Sequence, residues 1–205
     1  MNRTRKLIIM LASVGLAVGL VAAVVPQPGL SYPAAAAADT YKIDPVHSMV
    51  IFKIGHMGVS NSYGRFNEIS GEFSLDESNP SNGSFSVEVK TESIDTNNEN
   101  RDKHLKSPDF FNARQYPAIA FKSTKVTGSA DGSFEVTGDL TLHGVTNSIT
   151  IPVTKIGAGK GRQGEALIGL ETSLKLKRSD YGMRNMLDMV GDEVTLRVAL
   201  EAARK

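Results

Sequence analysis

The chain contains no cysteine. That excludes a disulfide framework, thiolate metal ligation and a lipoprotein attachment site. Other absences narrow the chemistry further. None of the four histidines (His47, His56, His104, His143) stands in an HExxH or HxH arrangement, so a dedicated zinc site has no sequence support. No GxSxG elbow marks an activated serine, and no glycine-rich loop leads from a strand into a helix to cradle a phosphate. Gly55, Gly58, Gly64, Gly71 and Gly144 read instead as turn or bulge positions. No long basic run occurs, and the aromatics lack basic interleaving, which argues against nucleic acid as a partner. Internal repeats and low-complexity linkers are also lacking after residue 38.

What is present divides the 205 residues in two. Arg3, Arg5 and Lys6 precede an uncharged apolar run from Leu7 to Val25, and small residues from Ala34 to Ala38 lead to Asp39. This is the pattern of a secretory signal peptide over residues 1–38. The run approaches the length of about 20 residues that spans a bilayer, so an uncleaved anchor is the alternative. Either way the expected location is periplasmic or secreted. Residues 39–205 are of single-domain size. Setting aside the three leader cations leaves 20 basic against 22 acidic side chains there, a formal charge of −2.

Period-two alternation runs through that domain, the signature of half-buried antiparallel strands. Ser48, Val50, Phe52, Ile54 and His56 share one face. Phe73 and Leu75 follow a stretch, Ser60 to Gly64, read as turn-rich. Further inward sets are Phe85, Val87 and Val89; Ile119 and Phe121; Phe134, Val136, Leu140 and Leu142; and Ile149, Ile151 and Val153. Ile168, Leu170, Leu174 and Leu176, then Val194, Leu196, Val198 and Leu200, complete the pattern. The expected fold class is all-β: an eight-stranded antiparallel up-and-down (lipocalin-like) barrel with a short helical insertion between strands 3 and 4. Closure of such a meander removes exposed edges, and a barrel of this size holds either its own side chains or one small ligand. A two-sheet sandwich is the competing architecture.

Two segments interrupt the alternation. In RDKHLKSPDFFNARQYPAIAF (residues 101–121), Ser107 reads as a helix cap, Pro108 as the first helical residue and Asp109 as a first-turn carboxylate. Upstream, residues 98–105 are polar enough for a surface helix. Phe110 and Phe111 either plug the core or wall a ligand cavity. The second segment, RSDYGMRNMLDMVGD (residues 178–192), places Met183, Met186, Leu187 and Met189 between the last two strands. Methionine-rich surfaces accept variable apolar ligands, although the same residues equally cap a core. The spacing leaves open whether the two segments border one barrel opening.

Three stretches, taken together, resemble the YceI-like family. YKIDPVHSMVIFKIGHMG resembles its opening motif, RDKHLKSPDFFNARQYPAIAF its central segment, and LTLHGVTNSITIPV its strand–turn–strand, in the expected order. The resemblance implies an exported lipocalin-like barrel that binds a long isoprenoid lipid or isoprenoid quinone in an elongated apolar pore. It also implies a homodimer in some members, and a transient membrane contact is expected of such a carrier. The residues it brings forward are Ser48, Val50, Phe52 and His56; Phe110, Phe111 and Phe121; and Leu140, Leu142 and His143. Pattern reading adds Ile54, Phe73, Met183 and Met186 to the candidate lining. Small inward positions (Ser48, Gly138, Ala166, Thr172) are expected to leave room for the ligand. Arg101, Lys106, Arg114 or Arg178 at the rim is expected to meet a charged head group. The resulting expectation is a non-enzymatic carrier or store that requires no cofactor. An electron-transfer accessory presenting a quinone or a histidine-ligated haem, and an enzyme acting on a lipid in the barrel, are the alternatives.

Overall fold

A computed structural model describes residues 38–128 and 131–205. The leader expectation therefore lies outside the described residues. Strands β1 (Asp39–Ile43) and β2 (Met49–His56) form one interrupted strand; β3 (Ser60–Phe66) and β4 (Ile69–Leu75) form the next. A third comprises β5 (Ser84–Lys90) and the short β6 (Ile94–Asp95). After the helical insertion come β7 (Ala118–Gly128), β8 (Ser133–Leu142), β9 (Val145–Lys160), β10 (Ala166–Lys177) and β11 (Val190–Arg204). Each pairs antiparallel with its neighbour in sequence, and β11 returns to both halves of the first strand. Val198 meets Val50, and Ala202 meets Ile43. The eight-stranded barrel is therefore closed, as the alternation predicts.

The reading of residues 60–64 as a turn is corrected. They begin β3, with Ser60 opposite His56 and Gly64 opposite Phe52. Glycine stands at 64 because Phe52 lies against it: a Cβ there would collide with the Phe52 ring. The actual reversal is at Met57 and Gly58, both at positive φ.

The helix also begins earlier than the Ser107 reading has it. Helix α1 spans Glu99–Lys106, and the Asn98 side chain accepts from the Arg101 N–H at 3.0 Å. Ser107 is where it ends, with an extended backbone (φ −71°, ψ 169°). A residue before proline is driven out of the helical region, so Pro108 stops this helix rather than starting another. Phe110 and Phe111 sit in the turns that follow. The expectation of a polar surface helix over residues 98–105 matches α1.

Along the barrel the interior changes character. One end is a solid plug that includes Ile43, Phe73, Phe85, Val126, Phe134, Val136 and Leu170. Phe73 is its centre at 1% exposure, stacked between Tyr41 and Phe85 with ring centroids 5.4 and 5.2 Å away. Each such large side chain contributes about 1.5–3 kcal/mol on leaving water. Toward the other end, smaller clusters form around Phe52, Phe66 and Ile94, and around Leu140, Leu142, Tyr181 and Met183.

Candidate functional site

Above the plug the barrel is hollow. An outer chamber of about 270 Å³ and an inner one of about 120 Å³ share Val50, Val89, Ile119, Leu140 and Leu196 in their walls. The two thus meet at a neck. Beyond it, the inner chamber is walled by Val87, Phe121, Ile149, Ile151, Leu174 and Val198, with Phe85, Val153 and Leu170 of the plug as its floor. Polar groups border only the outer chamber in number: His56, Ser62, Tyr63, Thr96, Arg101, His104 and Arg178.

The two interruptions of the strand pattern do meet here. Leu105, Phe110 and Phe111 from the first and Met183 and Met186 from the second wall the same outer chamber. Phe111 meets Phe66 edge-on at 5.6 Å. The Arg178 guanidinium lies 5.9 Å from the centre of the Phe110 ring. His143 fastens both segments to the β8–β9 hairpin. Its Nδ1 lies 3.1 Å from the Tyr181 carbonyl oxygen, and its ring meets Tyr116 edge-on at 4.7 Å.

Of the predicted lining, Val50, Phe52, Ile54, His56, Phe110, Phe111, Leu140, Leu142, Met183 and Met186 surround the outer chamber, and Phe121 the inner one. Three residues lie elsewhere. Phe73 belongs to the plug, and His143 is the fastener just described. Ser48 is a backbone clamp: its Oγ donates to the Glu201 carbonyl at 3.2 Å and accepts from the Glu201 N–H at 3.0 Å. Pattern reading missed Leu105, Tyr63, Leu176 and Val194, which also line the outer chamber. The last two continue inward sets already visible in the sequence.

Two expectations about space and charge are corrected. Gly138 leaves no room for a ligand, because Phe121 occupies it: a Cβ there would lie 2.7 Å from Phe121 Cζ. Arg178 is not a free rim cation. It is 3% exposed, and its Nε, Nη1 and Nη2 donate to the carbonyls of Gly191, Met183 and Val190 at 2.8–2.9 Å. Burial pushes its pKa down, opposed by the nearby Asp192 carboxylate. Arg101 spends Nε and Nη2 on Thr96, and Lys106 sits 3.7 Å from Glu92. Arg114 is exposed and borders neither chamber.

Among the described residues, one trio could hold a metal by proximity: Asp44, His47 and Glu201, on the outer wall. Its geometry is that of an ion-paired clamp between the β1–β2 connection and β11. His47 Nδ1 lies 2.7 Å from Asp44 Oδ2 and 3.7 Å from Glu201 Oε1. The hydrogen bond to Asp44 holds the imidazole pKa above its ordinary 6.5, and the same bond holds Asp44 below 3.8. The histidine contribution is therefore complete below pH 6.5 and lost as pH rises through the raised value. The aspartate contribution is present above pH 3.8 and lost as pH falls through the lowered one. A His47→Gln variant should melt below wild type at acidic-to-neutral pH, the gap closing as pH climbs above 6.5. A gap constant with pH would contradict the clamp.

A closed antiparallel barrel, plugged at one end and hollow and apolar toward the other, defines a lipocalin-like binding barrel. Comparison with known proteins agrees. Residues 41–202 match the YceI-like domain model, and the chain belongs to that family. It is 43% identical over 173 residues to a UPF0312 protein of Pseudomonas aeruginosa (strain LESB58), covering 83% of this chain and 90% of that one. The crystal structure of Burkholderia cenocepacia BcnA superposes with a TM-score of 0.71 at 23% identity, covering 78% and 98%. A polyisoprenoid binding domain from Saccharophagus degradans, implicated in plant cell wall breakdown, superposes at 0.63 with 16% identity, covering 80% and 98%. At those identities the two structures share the fold.

Proposed function

We propose that this protein binds and carries, or stores, a long isoprenoid-type lipid (a polyprenyl chain or an isoprenoid quinone) without altering it chemically, and that it does so after export. The observation that carries this reading is the pair of joined chambers, whose inner half is walled almost wholly by hydrocarbon. Each methylene transferred into such a space contributes about 0.8 kcal/mol, so a few isoprene units suffice for tight binding. Apolar walls separate ligands differing by one methylene by only about 1–3 kcal/mol, so specificity for chain length is broad. The polyisoprenoid-binding description of the Saccharophagus degradans domain, which has this fold, supports the choice of ligand.

Loading requires the chain to pass from a membrane without crossing water. Met57, Val59, Leu187 and Met189 are exposed and adjoin, in sequence, the chamber-lining His56, Met186 and Val190. The Met57 N–H donates to the Met189 carbonyl at 2.7 Å, which holds the two loops side by side. This apolar rim is the surface that would touch the bilayer during exchange. Organic extraction of protein purified without detergent, followed by mass spectrometry, tests the function directly. A stoichiometric polyprenyl or isoprenoid-quinone species is expected. Protein that yields only bulk phospholipid, and that fails to take up an added isoprenoid, would refute the reading.

A further inference from the structure

Among the described residues, one buried side-chain polar atom has no hydrogen-bond partner: Thr172 Oγ1. It lies in the wall of the inner chamber. Thr172 stands on the inward face of β10 between Leu170 and Leu174, opposite Val153 of β9 and Val198 of β11. Val153 and Leu170 belong to the chamber floor, so the hydroxyl lies at its deep end. An orphan hydroxyl in an apolar wall is disfavoured, because it gives up hydration and receives nothing in return. Valine has nearly the same shape, suits a strand equally well and carries no such penalty.

The rim shows the opposite pattern. All three nitrogens of Arg178 are used by backbone carbonyls, two of those of Arg101 by Thr96, and Lys106 faces Glu92. His104 Nε2 is 3.0 Å from Asp109. The arginines and the lysine of the rim are thus committed to holding the fold, whereas the hydroxyl of Thr172 is committed to nothing. Among the described residues no cation lines the inner chamber, and the one charged neighbour there, Glu171, is exposed on the outer face of β10. A phosphate buried there would be an unpaired anion in hydrocarbon, which is prohibitive. An uncharged oxygen carries no such cost.

Resting on the carrier reading, we infer that the inner chamber receives an uncharged, oxygen-bearing end of the lipid (an alcohol, ketone, quinone carbonyl or amide) and that Thr172 is its hydrogen-bond partner. The hydroxyl itself is covered, while the half-buried side chain borders the chamber. A rotation of about 120° to the next staggered well presents it to the ligand. That rotation breaks no hydrogen bond, because none exists to break.

The test compares wild type with Thr172→Val and Thr172→Ser, loaded from cyclodextrin with one of three matched chains. These are geranylgeraniol, its deoxy hydrocarbon and geranylgeranyl pyrophosphate. Thr172→Val is expected to weaken geranylgeraniol binding by about three- to tenfold, the value of one neutral hydrogen bond. It should leave the hydrocarbon and the pyrophosphate unchanged, and Thr172→Ser should retain the preference. The empty Thr172→Val barrel should melt at or above the wild-type temperature, since it loses only an orphan hydroxyl. Equal effects on all three ligands, or no effect on any, would overturn the inference while leaving the carrier reading intact. Failure of wild type to bind any of the three would overturn both.

Discussion

Replacing Leu140 with tryptophan empties the barrel without unfolding it. Leu140 borders both chambers, so the indole closes the neck through which a chain must pass to reach the floor. Overpacking a filled core costs about 1–3 kcal/mol. Here the added atoms enter open space beside Val50, Ile119 and Leu196, so the stability cost lies at or below the bottom of that range. The ligand loses more. Excluding three methylene-sized groups, at about 0.8 kcal/mol each, weakens binding by roughly fifty-fold, and longer chains lose more still. Denaturant melts should show a folded variant, and extraction should return little or no long-chain lipid from it. A folded variant that retains the wild-type complement would mean that the chain does not run through the neck.

Replacing Arg178 with methionine produces the largest loss of stability expected outside the plug. The guanidinium satisfies three carbonyls within the 183–191 loop region and lies over Phe110 of the 101–121 segment. Methionine approximates the length of the side chain but offers no donor, leaving one buried and two part-buried carbonyls without a partner. Breaking a buried charged network of this kind costs about 3–5 kcal/mol. Lysine should not rescue it, because its three N–H groups radiate from one nitrogen and cannot match carbonyls arranged around a planar guanidinium. The Ser179–Asp192 pair, with Oγ to Oδ2 at 2.8 Å, keeps the start of the loop on β11. The damage should therefore concentrate after Tyr181. Hydrogen exchange is the sensitive readout: amides from 183 to 189 should lose protection before those of β10 and β11. Uniform loss across the barrel, or a melting point within a degree or two of wild type, would contradict this role.

The barrel was legible in the sequence because the strand period is two and one face is apolar, a signal that survives without any knowledge of partners. Parity says which way a side chain points but not its height along the barrel axis. Phe52 and Phe73 therefore read alike, although one walls the cavity and the other is the centre of the plug. The same blindness made Gly138 look like ligand space when Phe121, a cross-strand neighbour, fills it. Proline 108 gave an ambiguous local signal, since proline both opens helices and forbids its predecessor from being helical. The competing cap at Asn98 decided the matter. Arg178 reads as a rim cation because nothing local distinguishes an arginine that meets solvent from one that meets carbonyls brought in by a loop. Thr172 reads as a small inward residue, but its lack of a partner is a property of the surrounding wall.

Methyl-to-ligand nuclear Overhauser effects in delipidated protein reloaded with one long polyprenyl chain test the central claim most directly. A single bound chain should contact methyl groups of Leu142 and Met183 in the outer chamber, Ile119 and Leu140 at the neck, and Leu174 and Val198 beyond it. Contacts confined to Met57, Val59, Leu187 and Met189 at the rim, with inner methyls unchanged, would show that lipid rests on this barrel without entering it.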